Sequence, residues 1–269
     1  MPASTWLLLF GASLLAGAIN SVAGGGSFVS FPVLLFAGVH EIIANATNTV
    51  ALWPAGVAAS FAYRKEMRAP AKTLVVLGSA SLIGGLAGAL LLLRTSDAAF
   101  GKLIPWLMLV AATLFTFGGA LTAKLRARRG NGASGASAMN ATGTRSGPGL
   151  ALAVAAGLQV VIAVYGGYFG GGMGIMMLAT LSILGMTNIH EMNGLKTLLG
   201  TFINGVGVVT FIAFGKVDWS TGGVMIAGAT IGGYAGAAIA RRVDPKWIRR
   251  LVIGVAWTMT AFFFVRPCL

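Results

Sequence analysis

Apolar runs of about 20 residues recur along this chain, the length a helix needs to cross the ~30 Å hydrocarbon core of a bilayer. The composition agrees: 57% of residues are hydrophobic and only 9% charged, where a soluble domain carries roughly 25% charged residues. Lipid offers nothing to an unpaired peptide group, so spanning segments must be helices or a closed barrel. The runs are continuously apolar, without the alternation of a barrel wall. The chain is therefore expected to be an all-α polytopic membrane protein.

The formal charge of +13 reads as basic loops that orient a membrane protein, not as a nucleic-acid surface. One cysteine, Cys268, rules out an intrachain disulfide or a cysteine metal cluster. Two histidines and six acids, all scattered, argue against a metal centre or hydrolytic dyad, and no Walker motif appears. No enzyme activity, cofactor or metal is expected. The N-terminal apolar run lacks a basic leader and a clear cleavage site and reads as retained.

Full spans are expected near 43–63, 73–93, 103–122, 193–214, 221–240 and 250–265. Segments 5–39 and 150–187 each read as a helix, a glycine break and a short helix. The short pieces, 27–39 and 173–186, are too short to cross the bilayer. Three loops hold 14 of the 19 basic residues: Arg64, Lys65, Arg68 and Lys72; Lys124, Arg126, Arg128, Arg129 and Arg145; Arg241, Arg242, Lys246, Arg249 and Arg250. The positive-inside rule puts these loops, 64–72, 123–148 and 241–250, in the cytoplasm. Residues 94–102 and 215–220 then lie outside. The segment 123–148, rich in Gly, Ser and Ala, reads as a flexible connector between a first transmembrane repeat, 1–122, and a second, 149–269.

The two parts echo each other at a spacing of 146–148 residues. Gly24, Gly25 and Gly26 match Gly170, Gly171 and Gly172; Asn45 matches Asn193; Thr49 matches Thr197; "GGLAGA" at 84–89 matches "GGYAGA" at 232–237; Asp97 falls within one residue of Asp244. With the charge-derived topology the matching loops face opposite sides. The expectation is two inverted repeats, each a glycine-broken helical hairpin plus three transmembrane helices. In such folds the substrate site sits where paired broken helices meet.

At these residues the chain resembles a known family. "INSVAGGGSFVSFPVLLFAGV" with "ANATNTVAL", and "YFGGGMGIMMLATLSILGM" with "NGLKTLLGTFING", are similar to the two signature blocks of the TauE/SafE sulfite exporters. The resemblance covers essentially the whole chain except the linker. It implies a multi-pass permease of the bacterial inner membrane for small sulfur-containing anions such as sulfite or C2 organosulfonates.

A helix N-terminus offers unpaired N–H groups and partial positive charge, and glycine lets an anion reach the backbone. The triplets therefore form a candidate cradle, completed by Asn20, Ser21 and Ser27 on one side and by Tyr165, Tyr168 and Met173 on the other. If they act together, their tips lie within about three helix turns, ~16 Å. The alternative is close helix packing by small residues. Asn193, Lys196 and Thr197 share one helical face, matched by Asn45, Asn48 and Thr49. Lys196 faces the anion, snorkels to the cytoplasmic surface, or pairs with Glu191. For the amides and hydroxyls the alternative role is interhelical hydrogen bonding. The His40–Glu41 and His190–Glu191 pairs read as interfacial loop ends or as a proton relay.

The expected function is a secondary transporter driven by a proton or ion gradient, with an anion channel or a membrane subunit of a larger assembly as alternatives. A homodimer stays open.

Overall fold

Among the described residues the apolar runs fold into ten helices and no strand. The computed structural model describes residues 1–22, 25–65, 69–130, 148–239 and 245–265. The helices are α1 (Ala3–Val22), α2 (Ser27–Phe36), α3 (Glu41–Ala62), α4 (Ala71–Arg94) and α5 (Asp97–Gly130), then α6 (Pro148–Tyr168), α7 (Met173–Ile183), α8 (Ile189–Ala213), α9 (Trp219–Ile239) and α10 (Pro245–Val265).

The broken segments form as expected. Long α1 and α6 are each followed, across a glycine break, by a short helix. The short helices hold 10 and 11 residues, about 15–16 Å of rise, or half a bilayer core. Five helices (α1, α4, α5, α6 and α8) are long and apolar enough to cross a membrane. Helix α3 is not among them. It carries Asn45, Thr47 and Asn48, all buried, so its polar residues face protein and not lipid. Large apolar residues such as Leu7, Val75, Ile83, Val161 and Val209 are exposed on the outer surface, where lipid would cover them.

Three boundaries lie five or more residues from expectation: the start of α5 (97 against 103), its end (130 against 122) and the start of α10 (245 against 250). Helix α5 begins at Asp97 and runs to Gly130, past the expected end at 122. Lys124, Arg126, Arg128 and Arg129 are good helix formers, and they extend the turn that the apolar residues begin. Residues 131–147, the rest of the expected connector, lie outside the described residues, as do Arg68, Arg241, Arg242, Asp244 and Cys268.

The helix packing repeats when α1–α5 are exchanged for α6–α10. Helix α1 packs on α9 and α6 on α4; α3 packs on α9 and α8 on α4; α2 packs on α10 and α7 on α5; α3 meets α8, and α5 meets α10. The glycine-rich "GGLAGA" and "GGYAGA" stretches make the tightest of these contacts. A Cβ at Gly88 would strike the Val164 carbonyl oxygen, and one at Gly232 the Leu14 carbonyl oxygen. Backbones approach here because no side chain stands between them.

Helices α3 and α8 cross antiparallel at the centre. Thr49 lies against Gly207, with 3.8 Å between the Thr49 Cγ2 and a Cβ placed there. Trp53 Nε1 donates to the Thr201 carbonyl at 3.1 Å, and the Ser60 and Thr201 hydroxyls are 2.8 Å apart. At the N-terminal end of α3, Asp97 Oδ1 accepts from the Ile42 amide at 3.2 Å. Thr47 Oγ1 accepts from the Asp218 amide at 3.0 Å. The first bond ties α3 to the start of α5, the second to the loop between α8 and α9.

Candidate functional site

The second glycine turn is built by backbone conformation. Gly170 and Gly172 have φ of +84° and +80°, the left-handed region that costs other residues roughly 1–2 kcal/mol. Gly172 caps α7 in this conformation. A Cβ there would also press on Ala111 of α5, 3.2 Å from its Cα. The Tyr165 hydroxyl donates to the Gly171 carbonyl at 2.6 Å, and the Phe169 amide donates to the Tyr165 carbonyl at 2.9 Å. The amides of Gly171, Gly172, Met173 and Gly174 have no acceptor among the described residues. Four consecutive donors therefore stand open at the start of α7.

Lys196 lies across this turn. Its Cδ is 3.3 Å and its Cε 3.9 Å from where a Cβ on Gly174 would sit. The residue is half-buried, and its ammonium has no hydrogen-bond or ion-pair partner among the described residues. In particular, no ion pair to Glu191 forms. The stem of a lysine unpaired among the described residues thus lies against Gly174, the last of the four open amides.

In the first turn one amide is taken by a side chain, while the Gly25 and Ser27 amides have no acceptor among the described residues. Gly25 has φ +93°, and a Cβ there would lie 2.6 Å from Phe115 Cζ. Asn20 Oδ1 accepts from the Gly26 amide at 2.8 Å. The Ser30 hydroxyl lies within donor distance of both the Gly26 carbonyl and Asn48 Oδ1. Asn48 is buried, and its Nδ2 has no partner among the described residues, leaving one buried donor. Gly24 and the Ser21 side chain lie outside the described residues.

The two tips meet. Gly172 seats on Ala111 and Gly25 on Phe115, one turn apart along α5, about 6 Å of rise. Ser27 and Gly171 line one crevice with Asn45, Phe28, Phe31 and Phe169, and this crevice has no room for a water molecule. The aromatic walls pack edge-on, Phe31 on Phe169 at 5.8 Å and Phe28 on Phe115 at 5.5 Å.

The other candidates divide along α3 and α8. Asn193, Lys196 and Thr197 stand on the α7 side, near the end of α8 that faces Ser60. Asn48 and Thr49 lie twelve and eleven residues from Ser60 on α3, roughly 18 Å along the axis. The Thr49 and Thr197 hydroxyls donate to the Asn45 and Asn193 carbonyls of their own helices, so only their lone pairs remain. Met173 fills the space around Gly166 and Gly200. The Tyr168 hydroxyl points away from the turn, 3.4 Å from Thr95 Oγ1. Asn45, expected on this face with Asn48 and Thr49, turns to the second glycine turn: its Nδ2 donates to the Tyr168 carbonyl at 3.1 Å. Its place one helical turn before Thr49, on the same face, carries that expectation.

All-helical with no strand among its described residues, apolar on its outer surface and broken twice by glycine turns, the chain is a polytopic membrane protein. It belongs to the sulfite exporter TauE/SafE family, whose model matches residues 9–263. It is similar to the probable membrane transporter YfcA of Escherichia coli, 28% identical over 257 residues that cover 94% of this chain and 87% of that protein. It is also similar to a probable membrane transporter of Haemophilus influenzae, 26% identical over 94% of this chain and 92% of that protein. A third relative is the probable membrane transporter ORF9 of a Sinorhizobium species, 26% identical over 96% of this chain and 92% of that protein. No solved structure matches the chain. Family and relatives are described as membrane transporters, not enzymes.

Proposed function

We propose that the protein is a secondary transporter that moves small sulfur-containing anions, sulfite or C2 organosulfonates, across the bacterial inner membrane by alternating access. The observation that carries this reading is the unpaired Lys196 ammonium beside the four open amides of Gly171–Gly174. A sulfonate or sulfite brings negative charge and several acceptor oxygens to a group of donors that otherwise faces nothing. Asn48 Nδ2 and the Ser27 hydroxyl stand ready on the opposite side of the turn pair. The aromatic crevice between them, closed to water in this structure, takes the carbon end of an organosulfonate once it opens.

The halves, 1–122 and 149–269, act as inverted repeats. The exchange symmetry of the helix packing supports two equivalent halves, and the three basic loops, 64–72, 123–148 and 241–250, supply the orientation by facing the cytoplasm. A proton or ion gradient drives the cycle. The crevice closed to water disfavours a permanently open channel.

The test is flux in proteoliposomes. Sulfite or isethionate uptake is expected to saturate and to depend on an imposed gradient, and Lys196→Ala is expected to abolish it. Flux that rises linearly with concentration and cannot be driven uphill would replace the transporter with a channel.

A further inference from the structure

The crevice between the glycine turns leaves an open cavity at one end of the bundle without a role. This cavity, about 300 Å³ in volume, is lined by His40, Ile42, Thr95, Asp97 and Lys216 among others. The Lys216 ammonium has no ion-pair partner among the described residues. Asp97 lines the same cavity and accepts from the Ile42 amide, Glu41 lies beside His40, and Asp218 accepts from Ser220 and Thr221. The cavity thus offers the Lys216 ammonium and the imidazole of His40 opposite one carboxylate, Asp97, that an amide already bonds.

Tyr168 touches the wall of both spaces. The Tyr168 hydroxyl is 3.4 Å from Thr95 Oγ1, which lines the cavity. The Tyr168 carbonyl accepts from Asn45 Nδ2, and Asn45 lines the crevice. Its ring stands edge-on against Phe100 at 5.5 Å, and the residue is 9% exposed. Ile42 in the cavity wall and Asn45 in the crevice wall are successive positions on one face of α3.

We propose that the cavity at His40 and Lys216 is a collecting vestibule for the transported oxyanion and that Tyr168 is the gate between it and the central crevice. The identity of the anion rests on the transport reading above; the gate does not. Tyr168 seals the path by its ring. Asn45 latches it by its backbone, so that movement of α3 and movement of the second glycine turn are coupled.

Accessibility measures this without a transport assay. In a Cys268→Ser background, Ser27→Cys places one thiol in the crevice, and membrane-impermeant anionic and cationic methanethiosulfonates are added to either face of oriented vesicles. From the Lys216 face, labelling is expected to be slow with Tyr168 present. Tyr168→Ala should speed it at least tenfold, Asn45→Ala severalfold, and Tyr168→Phe little. Lys216→Gln in the Tyr168→Ala background should slow the anionic reagent severalfold and leave the cationic one unchanged. Equal rates with and without the Tyr168 ring and the Asn45 amide would overturn the gate. Equal effects of Lys216→Gln on both reagents would overturn the vestibule. If labelling follows the expected pattern while wild-type protein shows no saturable anion flux, the transport reading falls and the gate stands.

Discussion

The two glycine turns look alike in sequence and differ in what they leave open. In the first, Asn20 takes the Gly26 amide, and Ser30 ties the turn to Asn48. In the second, the amides of Gly171–Gly174 and the ammonium of Lys196 face no protein partner among the described residues. A repeated scaffold thus carries one turn where Asn20 takes an amide, and one where four consecutive amides and a lysine have no partner among the described residues. The difference begins at one matched position, where the first half has Asn48 and the second Lys196. A neutral amide can be held by a neighbouring serine; a cation beside helix N–H groups cannot.

The largest expected effect separates these two positions. Lys196→Ala should weaken binding of sulfite or isethionate about 10–100-fold, the loss of a hydrogen bond to a charged group. Asn48→Ala should weaken it only about 2–10-fold, as for a neutral pair. Isothermal titration of the two variants decides this, and equal losses would erase the distinction between the turns.

Next comes the backbone. Gly172→Ala forces a side chain into the left-handed region against Ala111 and should destabilise the protein by about 1–2 kcal/mol or more. Gly38, also at positive φ (+85°) but in open space, should lose only the conformational part when changed to Ala. Melting curves in one detergent compare them. An equal loss at both would mean that the fit against α5 adds nothing.

A smaller change sharpens the difference at the first turn. Asn20→Ala and Tyr165→Phe each remove one side-chain bond to a turn and should each cost about 1 kcal/mol of stability. Only Asn20→Ala opens a new amide, so it alone should raise anion affinity at the first turn.

The smallest effect is a pH dependence outside the membrane. Partial burial pushes the Asp218 carboxyl up, but hydrogen bonds from the side chains and amides of Ser220 and Thr221 together outweigh it and hold the group below its ordinary value. A lowered folded value stabilises the protein above the ordinary carboxylate range, and that contribution fades as pH falls through the lowered value. Because the group is mostly exposed, the effect is slight. Asp218→Asn should flatten the melting temperature against pH in that acid window and nowhere else.

Much of this arrangement was legible in the sequence. Glycine triplets followed by runs too short to span gave the broken helices, and a lone lysine inside a polar face marked α8. The helix boundaries of α3, α4, α8 and α9 fell within four residues of expectation. What the sequence did not carry is which donors remain free. The capture of the Gly26 amide by Asn20 depends on how the chain turns back after α1, while the 2.6 Å Tyr165–Gly171 bond depends on the geometry of a second glycine turn. Tyr168 shows the same limit. Position alone put its hydroxyl at the triplet, but packing on Phe100 turns it toward Thr95. The length of α5 was missed because Gly, Ser and basic residues read as a connector, although its basic half favours helix.

Whether the anion sits at the second turn is read from the position of a bound anion. In crystals grown with 2-bromoethanesulfonate, the account places the sulfonate about 3 Å from the amides of Gly171–Gly174 and from Lys196 Nζ, with the bromine's anomalous peak in the aromatic crevice toward Phe31 and Phe169. A peak at the Gly24–Gly26 turn with Lys196 left unpaired would contradict it.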